Sequence, residues 1–335
     1  MHQGVSAVPV DERHRVLCLR PEHDFTDVGV SVPEDLDVAY LPDERGLESL
    51  PSEVVCLVLP SAGRLLAESM FAGAEKLRLV QFTGAGVDRV PPEAVKRLGA
   101  AVCNVPGASA PDVAAYVVLT AGVLLRRLVV AHTLTADGRY DDARRECLPK
   151  VARGFRGLRV GVVGLGSIGA EVARAFHELG ASTRWYDPSP ASGESADRFE
   201  RADLPALLAW SEVVTVHVPL LPETRGLVGR EEMALLPEGA ILVNAARGGI
   251  IDEAALITAL DAGHLGGAAL DVYEEEPLPA DSPVVAAASR HPGRLLLTPH
   301  IAGVTKESSR ILFERAWRNV HAVLVEGRDP EDRVI

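Results

Sequence analysis

The sequence is short of positive charge. Its 335 residues carry 34 lysines and arginines against 47 aspartates and glutamates, a formal net charge of -13. That balance repels phosphate backbones and anionic lipid, so neither nucleic acid nor a membrane is expected as a partner. Long apolar runs are missing too. The longest, 113–125, stops at Arg126-Arg127, short of the ~20 residues that span a bilayer. The opening MHQGVSAVPVDERHR holds no basic region followed by an apolar core, so no secretory leader is expected. Cysteine is scarce: Cys18, Cys56, Cys103 and Cys147 form no C-x-x-C pair. Three of the four sit in apolar runs, where a free thiol behaves as a small core residue of a reducing compartment. No repeat or low-complexity tract interrupts the chain, and no metal site is expected. What these absences leave is a cytoplasmic protein directed at a small molecule.

Apolar residues make up 47% of the chain, enough at this length for two domains with their own cores. The runs 16–19, 54–59, 79–82 and 102–105 are continuous rather than alternating, which suits strands buried on both faces of a parallel sheet. Ser109-Ala110-Pro111-Asp112 then offers a cap, a first-turn proline and an acid for the helix dipole, predicting one long helix over 111–132. The polar stretch 136–159, with Asp137-Gly138 and Leu148-Pro149, reads as a loop. From Val160 strand and helix patterns alternate again to about Leu297, and a last amphipathic helix is predicted over 305–325. Two α/β units, each with a doubly wound parallel sheet, are the economical architecture.

The second unit opens on a motif. The strand Arg159-Val160-Gly161-Val162-Val163 runs straight into Gly164-Leu165-Gly166-Ser167-Ile168-Gly169 and a helix follows, with Ile168, Val172, Phe176 and Leu179 at helical spacing. The first glycine allows a tight turn, the second lets backbone amides approach a pyrophosphate, and the third lets helix pack on strand. Alone, G-x-G-x-x-G is weak evidence against a purely structural turn. The next strand, Thr183-Arg184-Trp185-Tyr186, strengthens it by ending at Asp187, about where an acid takes ribose hydroxyls and disfavours a 2′-phosphate. A methyltransferase using S-adenosylmethionine also pairs a glycine loop with an acid.

Three later segments separate the alternatives. Ala240 to Asn244 leads to Ala245-Ala246-Arg247-Gly248-Gly249, Ala268 to Leu270 leads to Asp271-Val272-Tyr273-Glu274-Glu275-Glu276, and Leu295 to Leu297 leads to Thr298-Pro299-His300. Each is the carboxyl end of a strand, where open α/β sheets bind ligands. An arginine, a carboxylate and a histidine would thus line one crevice with the glycine loop. Singly, each has a plain reading, as a turn residue, a solvated acidic run and one loop histidine among ten. Their coincidence at three strand ends favours a site. His217, which also ends a strand, is read as packing near a cofactor rather than moving a proton.

The ordered set VGLGSIG, HVPLLPET, VNAARGGIIDE, LDVYEEEP and TPHIAG, with the earlier Thr83-Gly84-Ala85-Gly86-Val87-Asp88, resembles the D-isomer-specific 2-hydroxyacid dehydrogenases. The resemblance implies a flavodoxin-like substrate domain from 1–109 plus 301–335 and a Rossmann NAD-binding domain over 110–300. It implies a homodimer built around the helix predicted at 111–132. It also implies NAD(H)-dependent interconversion of a 2-keto acid and a D-2-hydroxy acid. By motif position, Arg247 would clamp the substrate's carboxylate and carbonyl, a task for a planar fork of donors. His300 would be the acid/base, and Glu276 would orient it and favour its protonated form. Asp271 matches the residue that bonds the nicotinamide amide. Gly164, Gly166, Ser167, Ile168, Gly169, Asp187, Val218, Ala245 and Ala246 would hold the rest of the cofactor. Amides of Gly84, Ala85 and Gly86 would meet the substrate carboxylate.

Three departures touch the substrate side. Phe82 stands where many members carry a basic residue, Ala114-Ala115 where Ala-Glu is frequent, and the segment 140–154 is longer than usual. With the sequence ending at Ile335, the C-terminal regulatory domains of many phosphoglycerate dehydrogenases are not expected. C-terminal-binding-protein corepressors also resemble this family, so an NAD(H)-binding interaction protein with little turnover is the alternative.

Overall fold

A computed structural model describes residues 14–43, 47–147, 153–189 and 194–335. Residues 1–13, which carry most of the reading of the N-terminus, and Leu148-Pro149 lie outside them. The chain divides into two units, Met1–Ser109 with Val304–Ile335, and Ala110–Gly303.

The first unit holds β1 (His14–Cys18), β2 (Leu36–Tyr40), β3 (Cys56–Leu59), β4 (Leu79–Phe82) and β5 (Ala101–Cys103). They form one parallel sheet in the order β2-β1-β3-β4-β5, the flavodoxin-like order. Side chains alternate across it. Val16, Cys18, Cys56, Val58 and Leu79 pack beneath Phe313, Trp317 and Val320 of the helix Lys306–Leu324. Leu17, Leu57, Leu59, Val80 and Val102 pack on the other side with Phe71 and Val95. Burial on both faces is the reason the strands read as continuous apolar runs. Phe25 meets Phe313 and Trp317 edge-on, at 4.8 and 5.4 Å between centroids. The chain's two ends share this sheet: Val334 N donates to Val102 O at 2.8 Å, and Asn319 Nδ2 donates to the buried Gln81 Oε1 at 2.6 Å. Cys18, Cys56 and Cys103 are free and buried, and burial pushes the Cys18 thiol up to about 12, which keeps it unreactive. The edge strand β2 escapes the apolar-run criterion because Asp37 interrupts Leu36-Asp37-Val38-Ala39-Tyr40 and only Leu36 is buried, with Asp37 answering Arg15 across the ladder at 2.5 Å.

The second unit holds β6 (Arg159–Val163), β7 (Ser182–Tyr186), β8 (Glu200–Arg201), β9 (Val213–Val216), β10 (Ala240–Asn244), β11 (Leu265–Leu270) and β12 (Leu295–Leu297). All are parallel, in the order β12-β11-β10-β9-β6-β7-β8. The chain winds one way from β6 and the other way from β9, so the switch point lies between these neighbours. The helix Ala110–Leu125 lays Val113, Val117 and Leu124 against Val172 and Phe176 of the helix Ser167–Glu178. The fold class is the expected one.

Two sequence expectations need correction. The single helix over 111–132 is two, Ala110–Leu125 and Leu128–Ala136, bent by 59°. Arg127 breaks it in a left-handed conformation, φ 53°, and its Nη1 donates at 3.1 Å to the Glu146 carbonyl in the last turn of a further helix, Tyr140–Cys147. That helix occupies the stretch expected to be loop. It carries acids in its first turn and arginines in its last, as the macrodipole favours, but buries only Ala143. Apolar periodicity could not reveal it. Among the described residues no single helix is long and apolar enough to cross a membrane.

Candidate active site

Register places the candidate residues of the second unit. Tyr186, Val163, Val216, Asn244, Leu270 and Leu297 form one row across the sheet. Asp187, Gly164, His217, Ala245, Asp271 and Thr298 follow them in the chain and leave along one edge. With strands about 4.8 Å apart, the loops after β10 and β12 depart about 10 Å from each other.

At the switch point, Gly164 takes φ 96° and a Cβ there would stand 2.7 Å from the main chain of His217 and Val218. A Cβ at Gly169 would collide with the Gly164 carbonyl, whereas one at Gly166 would meet nothing within 4 Å. The outer glycines are therefore demanded by packing, and the middle one opens a cradle. Gly166 caps the helix Ser167–Glu178 without a side-chain acceptor. The amides of Ser167, Ile168 and Gly169 thus have no acceptor within the helix, and the positive end of its dipole faces the opening. Such a cradle accepts a pyrophosphate. Asp187 stands beside it, with Oδ2 accepting from Leu165 N at 2.8 Å and Oδ1 from Ser189 N at 2.9 Å. Each oxygen keeps a lone pair for a hydroxyl.

His217 is differently placed. Its Nε2 lies 2.7 Å from Thr215 Oγ1, and its buried Nδ1 has no hydrogen-bond partner among the described residues. Burial without a compensating charge pushes the imidazole down to about 3.

The loop after β10 is shaped by Asn244, a buried side chain that donates from Nδ2 to Arg247 O at 2.9 Å and accepts Ala246 N on Oδ1 at 3.1 Å. Arg247 Nη1 donates to Ala246 O at 2.7 Å. A Cβ at Gly248 would run into the Tyr273 carbonyl, so the Arg247 loop lies directly against the loop after β11.

Asp271 ties that loop to the one after β12. Its carboxylate accepts Thr298 Oγ1 at 2.6 Å, Ile301 N at 2.9 Å and Ala302 N at 2.8 Å, and its carbonyl accepts His300 N at 2.8 Å. Held this way, His300 takes φ 57°, a left-handed conformation costing a non-glycine residue about 1–3 kcal/mol. His300 Nδ1 lies 2.8 Å from Glu276 Oε2, while Glu276 Oε1 accepts Tyr273 N at 3.1 Å. A carboxylate only accepts, so Nδ1 carries the proton and Nε2 is left for chemistry. The structure thus joins His300 to Glu276 and sets the Arg247 loop against theirs.

In the other unit, Gly84, Ala85 and Gly86 follow β4. Gly84 O accepts Val105 N at 2.9 Å, Ala85 O accepts Asn104 Nδ2 at 2.6 Å, and Gly86 O accepts Ser61 Oγ at 2.9 Å. The loop's carbonyls are thereby engaged. Phe82, at the position of a frequent basic residue, is fully buried.

Residues 119–302 match the family model described as D-isomer specific 2-hydroxyacid dehydrogenase, NAD binding domain. The chain belongs to that family. It is 37% identical over 290 residues to the (S)-sulfolactate dehydrogenase of Chromohalobacter salexigens, covering 86% of this chain and 90% of that one. It is 36% identical over 254 residues to the D-3-phosphoglycerate dehydrogenase of Archaeoglobus fulgidus, covering 75% of this chain and 46% of that one. The chain spans about half the length of the phosphoglycerate dehydrogenases it matches. The solved TT0316 protein from Thermus thermophilus superposes with a TM-score of 0.78 at 31% identity, over 96% of this chain and 100% of that one.

At this edge the glycine loop, the helix N-terminus and Asp187 stand together, with Val218 buried against Gly164. Sequence reasoning missed the residues that build the loops, namely Asn244, Tyr273, Thr298 and Tyr116. Asn244 had a local signal, a short polar side chain ending an apolar strand and able to bond its own turn. Tyr273 and Tyr116 carry no such local signal. Among the described residues, no group of three or more His, Cys, Asp or Glu could hold a metal ion.

Proposed function

We propose that this chain is an NAD-dependent oxidoreductase interconverting a small anionic 2-keto acid and the D-2-hydroxy acid. The carrying observation is the His300–Glu276 pair, 2.8 Å apart at the carboxyl edge of the sheet that also bears the glycine cradle. When bound, NADH supplies the hydride. His300 gives its Nε2 proton to the carbonyl oxygen, or takes it from the hydroxyl in reverse, while the carboxylate of Glu276 holds the imidazole through Nδ1. Arg247 takes the substrate's carboxylate and carbonyl through its fork of donors.

The pyrophosphate would lie on Gly164, Gly166, Ser167, Ile168 and Gly169, and the ribose on Asp187, whose charge favours NAD over NADP. Val218, Ala245 and Ala246 would line the cofactor, and Asp271, with a lone pair left on Oδ2, would take the nicotinamide amide. The sulfolactate and phosphoglycerate named for the relatives are small acids with a second anionic group, a substrate class this reading includes. Exposed Leu119, Leu128 and Val129 on the bent helix pair supply an apolar face for a homodimer, and the cytoplasm is the compartment we assign.

NADH consumption measured against glyoxylate, hydroxypyruvate, pyruvate, phosphonopyruvate and bulkier 2-keto acids tests the reading. Turnover is expected with at least one. Tight NADH binding with no turnover on the panel would overturn it in favour of an interaction protein.

A further inference from the structure

The helix Ala110–Leu125 sends one polar side chain to the catalytic edge. Tyr116 Oη lies 2.6 Å from Thr298 Oγ1, 182 positions further along the chain. Thr298 Oγ1 in turn donates to Asp271 Oδ1 at 2.6 Å. Chemistry fixes the direction of the protons. Asp271, as a carboxylate, only accepts, so the one Thr298 hydroxyl proton goes to it, and the Tyr116 hydroxyl must donate to Thr298. Burial pushes the Tyr116 hydroxyl up to about 12, so it keeps its proton across the working range of pH. Tyr273 Oη adds a bond to Thr298 O at 2.8 Å, fixing the other side of the same residue.

The chain of donors ends where the proton-transfer histidine begins. Asp271 accepts the amides of Ile301 and Ala302 on its carboxylate and that of His300 on its carbonyl. We propose that Tyr116 is a positioning residue: through Thr298 and Asp271 it holds the loop in which His300 keeps its left-handed backbone and its Nδ1 on Glu276. The proposal rests on the acid/base reading of His300. A phenylalanine would fill the same space, so the hydroxyl is the part that matters.

Tyr116→Phe tests this with little risk to the fold. Its kcat for 2-keto acid reduction is expected to fall about tenfold, as small misplacements of a reacting group do. KM, the NADH Kd and the melting temperature should stay at parent values. Thr298→Val should lower kcat at least as far, and Thr298→Ser, which keeps the hydroxyl, should retain most of the kcat. Because both residues act along one chain of bonds, the double variant Tyr116→Phe/Thr298→Val should fall no further than the worse single. Independently of turnover, spectra of isotope-labelled histidine, assigned with His300→Asn, should show a slowly exchanging Nδ1 proton in the parent that is lost in Tyr116→Phe. Parent-like kcat with the Nδ1 signal intact, losses that multiply in the double variant, or losses that follow the melting temperature would each overturn the proposal. If the parent reduces no 2-keto acid, the activity reading falls, and the Nδ1 signal alone decides the positioning role: unchanged in Tyr116→Phe overturns it, lost supports it.

Discussion

Two histidines leave the same sheet edge and meet opposite surroundings. His217 follows β9, beside the glycine loop, with a threonine hydroxyl on one nitrogen and, among the described residues, no hydrogen-bond partner on the buried other. His300 follows β12, with a carboxylate on one nitrogen and a backbone locked by Asp271. Both follow a strand, His217 directly and His300 after Thr298-Pro299, and both are followed by apolar residues, so the sheet alone does not choose between them. The choice is made by what the neighbouring loops deliver. Burial without charge holds His217 neutral at a pKa of about 3, which removes it from proton transfer at ordinary pH. A carboxylate at 2.8 Å gives His300 a fixed tautomer and a place for positive charge to settle.

Substitutions can break this contrast, beginning with the largest effect. If His300 is the proton donor, as proposed, His300→Gln should lower kcat by about a thousandfold in steady-state NADH oxidation, with NADH affinity retained. Glu276→Gln keeps a hydrogen bond and loses the charge. Its kcat should fall by about a hundredfold while the KM for the keto acid changes little. His217→Gln should cost kcat no more than about threefold, and its signature lies in stability instead. Unfolded, His217 takes a proton near its ordinary value of 6.5; folded, it resists until about 3. Between those limits the unfolded state holds more protons, so stability falls as pH falls, by about 1 kcal/mol per pH unit. Melting curves at about pH 7 and about pH 5 should therefore separate in the parent and draw together in His217→Gln.

The two ends of the comparison were not equally legible in the sequence. Continuous apolar runs marked β10, β11 and β12 because parallel strands are buried on both faces, and the loop segment after each run could be read from the sequence. Arg247, Glu276 and His300 were found in that way, and the resemblance supplied their roles. The edge strand β2 and the helix Tyr140–Cys147 were missed because neither buries a continuous or periodic apolar face. The break at Arg127 was missed because nothing local marks it, and the Glu146 carbonyl that Arg127 bonds lies 19 residues on. The bonds that hold His300 were invisible for the same reason. Tyr116, Thr298 and Asp271 each look ordinary in their own segments, and only the folded sheet brings helix and loops together.

The central claim is that the carboxylate partner, not the strand end, makes a histidine the acid/base group. Single-turnover oxidation of bound NADH by a 2-keto acid, followed in His300→Gln and His217→Gln side by side, tests it most directly. The account predicts that His300→Gln binds NADH and fails to oxidise it, while His217→Gln oxidises it at close to the parent rate. Loss of the single turnover in His217→Gln with its retention in His300→Gln would contradict the account.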